Sequence, residues 1–379
     1  MSGATELDSG LLPEGVRSRF VDGVNGLRMH ILEAGFEPGE QPCVLLLHGF
    51  PELAYSWRKV MVPLAAAGFH VVAPDQRGYG RTTGWDPSYD GDLASFRMLN
   101  LVRDVLALVY ALGRTSVAAV VGHDFGSPVA AYCSLIRPDV FRSVVLMSAP
   151  FDEPPSFALG GDTLGSAAKL SIHDALAALP QPRKHYQWYF GSRSANDDMR
   201  NCPQGLRAFL RAYYHCKSAD WAGNEPFPLA SWTAEELAKL PRYYVMDLDR
   251  GIAATVSDLM PTKGEIAACR WLTDVELEVY AQEFSRTGFQ GGLQWYRCMT
   301  AQEHTNELRL FSGRTIDVPA CFIAGAKDWG VYQNPGAYER MRSKASTRML
   351  GCDLIPQAGH WVQQEQPAHV VQLLTQFLS

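Results

Sequence analysis

Residues 117–126 read Val117-Ala118-Ala119-Val120-Val121-Gly122-His123-Asp124-Phe125-Gly126. The apolar run 117–121 predicts a buried strand, and the residues after it predict a sharp turn with an acid at its apex. Glycines two before and two after that acid let strand, turn and helix pack closely. This is the spacing of a nucleophile elbow, whose usual apex residue is Ser. Here the apex is Asp124. Taken by itself, an Asp in this place could simply cap the helix that follows, since Asp is a favoured N-cap.

The substitution narrows the chemistry. A Ser that attacked an alkyl carbon would form an ether, which water does not readily release. A carboxylate attacking the same carbon forms an ester whose carbonyl belongs to the protein, so water can attack that carbonyl and free an alcohol. An Asp at the elbow therefore suits substrates opened at sp³ carbon, namely epoxides and alkyl halides. It needs no base for the first step, because an ordinary carboxylate is ionised near neutral pH.

Further parts follow in an order that fits. Residues 44–47 form a short apolar run leading into His48-Gly49-Phe50-Pro51-Glu52. A loop there can aim the Phe50 N–H into the site beside that of Phe125, giving an oxyanion hole for ester hydrolysis. A cis Phe50-Pro51 bond is expected. Downstream, Ala320-Cys321-Phe322-Ile323-Ala324-Gly325 reads as a strand with Asp328 just past its end, and Leu354-Ile355-Pro356 leads to Ala358-Gly359-His360-Trp361. In the order nucleophile, acid, histidine, His360 would take a proton from water and Asp328 would orient its ring.

Taken together, His48-Gly49-Phe50-Pro51-Glu52, Tyr55-Ser56-Trp57-Arg58, Asp75-Gln76-Arg77-Gly78-Tyr79-Gly80, Gly122-His123-Asp124-Phe125-Gly126 and Gly359-His360-Trp361 resemble the soluble epoxide hydrolases of the α/β-hydrolase superfamily. The match runs from about residue 17 to the end. Phe125 departs from it, since that family more often has Trp there; a backbone N–H is what this position contributes, so the change bears on pocket shape. The resemblance implies two tyrosines that protonate the epoxide oxygen. Tyr186 in His185-Tyr186-Gln187-Trp188-Tyr189-Phe190 and Tyr296 in Gly288-Phe289-Gln290-Gly291-Gly292-Leu293-Gln294-Trp295-Tyr296-Arg297 match the family's segments. A phenol suits the task, being neutral at pH 7 and able to donate. Tyr189, Tyr213, Tyr214, Tyr243 and Tyr244 compete from the same region. Pro51, Gln187, Trp188, Trp295 and Trp361, which neighbour these residues in sequence, are candidates to line a substrate pocket.

The surrounding pattern predicts an α/β fold with a mostly parallel sheet flanked by helices. An entry hairpin from about Arg17 to Glu33 turns at Asp22-Gly23 and Asn25-Gly26, between Phe20-Val21 and the run 27–31; Leu27, Met29 and Ile31 alternate with polar residues as in a half-buried strand. Strands at 44–47, 71–73, 117–121 and 144–147 alternate with helices. One helix spans 100–112, buries Leu101, Val105, Leu108 and Val109, and stops at Gly113. The core comprises residues 1–150 and 308–379, interrupted by a mostly helical cap at 151–307 that covers the strand ends. In the cap, Thr233 with Glu236 and Thr273 with Glu276 read as capping boxes, and Leu277, Tyr280 and Phe284 share a helix face that Gly288 ends. Residues 241–261 match no assignable motif.

Composition sets the outer limits. The 379 residues carry a net charge of −6 and no basic run, which argues against nucleic acid or anionic membrane as partner. No uninterrupted apolar segment is long enough to insert into a membrane, and the N-terminus lacks a leader pattern. A soluble cytoplasmic protein is expected, with a homo-oligomer left open. The eight cysteines show no zinc-like spacing, so buried reduced thiols are expected. The resulting expectation is an enzyme without metal or organic cofactor that turns a small apolar epoxide and water into a vicinal diol, in detoxification or secondary metabolism. A haloalkane or haloacid dehalogenase would share Asp, His and ester, and a hydrolase-fold ligand receptor is a remoter alternative.

Overall fold

A computed structural model describes residues 5–37, 39, 41–157 and 171–379. Its strands are β1 (Val16–Val24), β2 (Leu27–Ala34), β3 (Cys43–Leu47), β4 (His70–Pro74), β5 (Ala119–His123), β6 (Val144–Met147), β7 (Arg183–His185), β8 (Val245–Asp247), β9 (Ala320–Gly325) and β10 (Met349–Ile355). Eight of them form one sheet in the order β1-β2-β4-β3-β5-β6-β9-β10. β1 and β2 run antiparallel to their neighbours, and the pairings from β4 through β10 are parallel. Parallel strands require crossovers, which place helices over the faces and bury the sheet on both sides. Accordingly β3, β4, β5, β6 and β9 are buried along their whole length. β5 lies inside the sheet between β3 and β6, so the turn after it opens at the carboxyl edge of the parallel strands, where open α/β sheets bind ligands.

The expected elements are present with small shifts. The ladder of β5 begins at Ala119, while Val117 makes a separate bridge to Phe141. The helix expected at 100–112 spans Met98–Ala111, with Gly113 at φ +74° beyond it. The entry hairpin turns through Asn25 and Gly26, both at positive φ. One reading is overturned: β2 is not half-buried. Beyond Arg28 every residue is buried, including His30 and Glu33. The reason is polar pairing across the sheet. His30 Nδ1 lies 2.7 Å from Asp75 Oδ2, while Glu33 meets Arg19 at 2.7 Å and His70 at 2.7 Å. Burial raises the Glu33 carboxyl, but His70, Arg19 and Arg17 outweigh it and hold the group well below the ordinary carboxylate range.

Between β6 and β9 the described chain is mostly helical. It also contains an element that the sequence did not announce: the antiparallel ribbon β7–β8, pairing Lys184 with Met246. Each strand has three residues, too few to show alternation. The helix Asp274–Thr287 carries the full capping box of Thr273 and Glu276, buries Leu277, Tyr280 and Phe284, and ends at Gly288. At Thr233 only half the box forms. Its hydroxyl accepts from Glu236 N–H, but the Glu236 carboxylate turns to the Ala230 N–H instead. A full box that the sequence reading missed sits at Thr262 and Glu265. Among the described residues no helix is long and apolar enough to cross a membrane. All eight cysteines are free thiols, and six of them are buried.

The loop after β4 is fixed by a buried ion pair. Arg77 Nε and Nη2 each donate to the Asp104 carboxylate at 2.7 Å, with both side chains 4% exposed. Asn25 donates to the same carboxylate at 2.6 Å. Arg77→Met would strand the Asp104 charge in the interior. It should cost about 3–5 kcal/mol of stability by urea unfolding, while Asp104→Asn/Arg77→Met together should cost less than Arg77→Met alone.

Candidate active site

Asp124 is the turn between β5 and the helix Gly126–Ile136, and it sits at φ +51°. That left-handed conformation is uncommon for an L-residue with a side chain and marks a position held by its surroundings. Three glycines make room for it. A Cβ at Gly122 would overlap the Gly126 carbonyl, one at Gly126 would overlap the Leu47 carbonyl, and one at Gly49 would overlap the Asp124 side chain itself. The Asp124 N–H donates to the Met147 carbonyl at 3.1 Å, and its carbonyl accepts from Ser127 N–H at 3.0 Å. The backbone is thus fully engaged, and the carboxylate projects from it.

Its two oxygens have different neighbours. Oδ1 accepts from the Phe50 N–H at 2.9 Å, and Oδ2 stands 3.2 Å from His360 Nε2. The Phe50-Pro51 bond is cis, as expected. Of the two N–H groups assigned to an oxyanion hole, the Phe50 group reaches the carboxylate; the Phe125 group makes no hydrogen bond to it. His360 Nδ1 lies 3.1 Å from both oxygens of Asp328, whose Oδ1 also accepts from the Gly330 N–H at 2.7 Å. The imidazole is therefore placed between two carboxylates, one on each nitrogen. Burial raises the Asp124 carboxyl, but His360, Lys217 and His123 outweigh it and hold the group far below its usual range. For His360, burial and Lys217 push downward, and Asp328 and Asp124 more than offset them, so the ring is more basic than a free histidine.

Both predicted tyrosines reach this place. The Tyr296 ring packs edge-on to Phe125 at 5.3 Å and to Phe50 at 5.4 Å, and stands 6.0 Å from the Tyr186 ring. The Tyr296 hydroxyl has no hydrogen-bond partner among the described residues. Tyr186 donates to Gln333 Oε1 at 2.9 Å, and Gln187 Nε2 lies 3.4 Å from its hydroxyl. Burial, reinforced by the Asp124 charge, pushes both phenols above the ordinary tyrosine range, so they are neutral donors at pH 7. Three of the competing tyrosines are committed elsewhere: Tyr189 to Asp198, Tyr214 to the Pro51 carbonyl and Tyr243 to Asn224.

The pocket candidates divide. Trp295 packs edge-on to Phe125 at 5.1 Å, with its Nε1 donating to the Arg77 carbonyl. Trp361 backs the His360 ring at 4.6 Å and is tied to the Tyr214 carbonyl. Gln187 and Pro51 adjoin Tyr186 and Tyr214 through the hydrogen bonds above. The Trp188 ring rests on His173 at 4.4 Å and His185 at 5.1 Å, and His185 in turn stacks on Tyr186. Trp188 thus supports a site residue at one remove. The 241–261 segment acquires a place too. The Tyr244 carbonyl accepts the Tyr186 N–H at 2.8 Å, and the Tyr244 ring packs on that of Tyr186.

Other neighbours carried no readable signal. Glu52 Oε2 lies 2.6 Å from His123 Nδ1, and His123 Nε2 donates to the His360 carbonyl at 2.7 Å, so a buried pair holds the histidine from behind. Glu365 accepts N–H groups from Ala219, Gly359 and Trp361, tying the His360 loop to residues 217–219. Gln333 and Lys217 complete the surroundings. Glu52 and His123 were in quoted motifs, but nothing in their spacing says that they pair.

An eight-stranded, mostly parallel sheet with an acid at a central elbow and a histidine–acid pair on the following strand ends defines an α/β hydrolase, and residues 42–367 match the alpha/beta hydrolase fold family. Epoxide hydrolase B of Mycobacterium tuberculosis is 33% identical over 356 residues, covering 93% of this chain and 96% of that protein. Epoxide hydrolase A of the same organism is 34% identical, covering 95% and 97%. An epoxide hydrolase from an endophytic Streptomyces superposes with a TM-score of 0.75 at 31% identity, covering 97% of this chain and 96% of that one. The chain belongs to the epoxide hydrolase family.

Because the elbow depends on backbone contact, Gly122→Ala should abolish soluble, cooperatively unfolding protein or lower its midpoint sharply. A variant that melts within a few degrees of the parent in circular dichroism would contradict this packing.

Proposed function

We propose that this enzyme converts an oxirane and water into a vicinal diol through an ester on Asp124. The reading rests above all on the unequal environments of the Asp124 oxygens. Oδ2, beside His360, attacks a ring carbon; Oδ1, held by the Phe50 N–H, becomes the ester carbonyl oxygen. As the C–O bond of the epoxide breaks, Tyr296 and Tyr186 donate to the departing oxygen and one of them supplies its proton. Tyr186 exchanges its hydrogen bond to Gln333 for one to the substrate.

In the second half, His360 Nε2 takes a proton from water while the hydroxide oxygen adds to the Asp124 Cγ. Charge gathers on Oδ1, where the Phe50 N–H stabilises it; the Phe125 N–H, which does not bond the resting carboxylate, is the second donor in this reading. The tetrahedral species collapses, the Cγ–Oδ2 bond breaks, and the diol oxygen leaves with the proton from the imidazolium; the water proton left on the Asp124 carboxyl passes back to the tyrosinate, so both groups return to their starting states. Asp328 stabilises that cation in the meantime. The described residues between 151 and 307 act as a cap that carries the tyrosines over the elbow and keeps bulk water from the ester. Aromatic neighbours favour an apolar epoxide as substrate.

His360→Gln should trap the ester, so that intact-protein mass rises by the mass of the added epoxide; Asp124→Ala should show no adduct. Tyr186→Phe and Tyr296→Phe should each slow adduct formation by at least about 10-fold, and the double variant by about 10²–10⁴-fold. Product analysis on aryl and alkyl epoxides alongside terminal haloalkanes tests the class: diol without halide supports the reading, and halide without diol would replace it with dehalogenation.

A further inference from the structure

The helix Leu206–Lys217 ends against the His360 loop. Its last residue, Lys217, is 4% exposed. The Lys217 carbonyl accepts the His360 N–H at 2.9 Å, and Gly359 passes so close that a Cβ there would overlap Ser218 and Ala219. The ammonium lies over the rings of Tyr244 at 5.0 Å and of Tyr213 and Trp361 at 5.6 Å. It makes no hydrogen bond or ion pair among the described residues. A buried cation without a carboxylate partner is costly and uncommon. The rings offset part of that cost through their negative faces, yet they do not explain why the position carries a charge at all.

The charged and titratable groups around Lys217 explain it. Asp124 comes from the elbow, Asp328 from the end of β9, Glu52 from the loop after β3 and Cys216 from its own helix. His360 stands behind the Trp361 ring, with His123 packed on it at 5.0 Å. Tyr213 and Tyr244 face the ammonium directly, and Tyr186 lies beyond Tyr244. Glu365 holds the backbone of the same loop. Burial pushes Lys217 below the usual lysine range while Asp124 and Asp328 pull it back, and Lys217 in turn lowers the basicity of His360.

The two half-reactions place opposite demands on His360. With Asp124 ionised, carboxylates flank both ring nitrogens. Once Asp124 is an ester that charge is gone, and His360 must be neutral to accept a proton from water. Asp328 alone would still favour the imidazolium, which cannot act as a base. We propose that Lys217 is a positioning residue of the second half-reaction, a fixed cation that opposes Asp328 and keeps His360 in its proton-accepting form while the ester stands. This inference rests on the ester mechanism proposed above.

The test is the pH dependence of ester breakdown, followed by rapid-quench mass analysis from pH 5 to 9. Removing the cation stabilises the imidazolium, so the pH at which His360 becomes neutral rises. In Lys217→Gln the acidic limb for ester hydrolysis should therefore move up by about one pH unit, with hydrolysis at pH 6 slowed about tenfold and ester formation slowed less. Lys217→Arg should return the limb toward that of the parent. An unmoved limb in Lys217→Gln, or formation and breakdown slowed equally at every pH, would overturn the proposal and leave Lys217 a packing residue. If Lys217→Gln does not fold, Lys217→Met, which keeps the stem between the rings, carries the same comparison. No ester in the parent enzyme would overturn both the mechanism and this inference, whereas ester in the parent with an unmoved limb would overturn this inference alone.

Discussion

An acidic residue held in a left-handed turn between closely packed backbones is the constraint from which the rest of this molecule follows. Asp124 at φ +51° fits there because Gly49 leaves no side-chain atom in its way, and because Gly122 and Gly126 let the backbone of the elbow close on itself and on Leu47. The absence of side chains at these glycines brings the loops after β3 and β5 into contact, and this contact alone delivers the Phe50 N–H to the carboxylate. A second backbone contact works in the same way. Gly78, in the loop after β4, and Gly291, in the helix Gln290–Thr300, touch so closely that a Cβ on either would overlap the other. Gly292 beside it leaves room for Tyr79 and Phe50. The helix that carries Tyr296 is thereby seated on the sheet loops, and the hydroxyl is placed by main-chain geometry rather than by a long side-chain network.

Charge is arranged around this scaffold in layers. His360 stands between Asp124 and Asp328, and its carbonyl is held by His123, which is held by Glu52. Glu52 is in turn satisfied by amides of Gln363 and Gln364 at 3.0 and 3.3 Å. A buried carboxylate is tolerated only when its lone pairs are met in this way. Each buried acid near the site therefore brings partners with it, and the loop 359–365 is immobilised by the sum of them.

The sheet and the grouping of Asp124, His360 and Asp328 were legible because they depend on local rules. Small residues at 122 and 126, an apolar run before them and acid and histidine at later strand ends each leave a trace in the sequence within a few residues. Tyr186 and Tyr296 were singled out by resemblance, and the hydrogen bonds of Tyr189, Tyr214 and Tyr243 to Asp198, the Pro51 carbonyl and Asn224 became visible only in the structure. What was not legible comes from distant pairing. Arg183–His185 and Val245–Asp247 are too short for a periodic signal, yet their ribbon brings Tyr244 under Tyr186. His30 and Glu33 looked like the solvent side of a strand because alternation says nothing of partners such as Asp75, Arg19 and His70. Trp188 was read as a pocket wall from its neighbours in sequence, and its contacts with His173 and His185, which link it to Tyr186, had no trace there.

The bond from the Phe50 N–H to Oδ1 makes the two oxygens of one carboxylate chemically distinct. In the proposed cycle the atom that joins the substrate is the one that departs with it, while the atom in the N–H cradle stays. Every turnover therefore exports an oxygen of the protein in the diol and installs one from solvent in its place. The catalyst is restored in structure but not in its atoms: a molecule that has worked once carries, at Oδ2, an isotopic memory of the water around it.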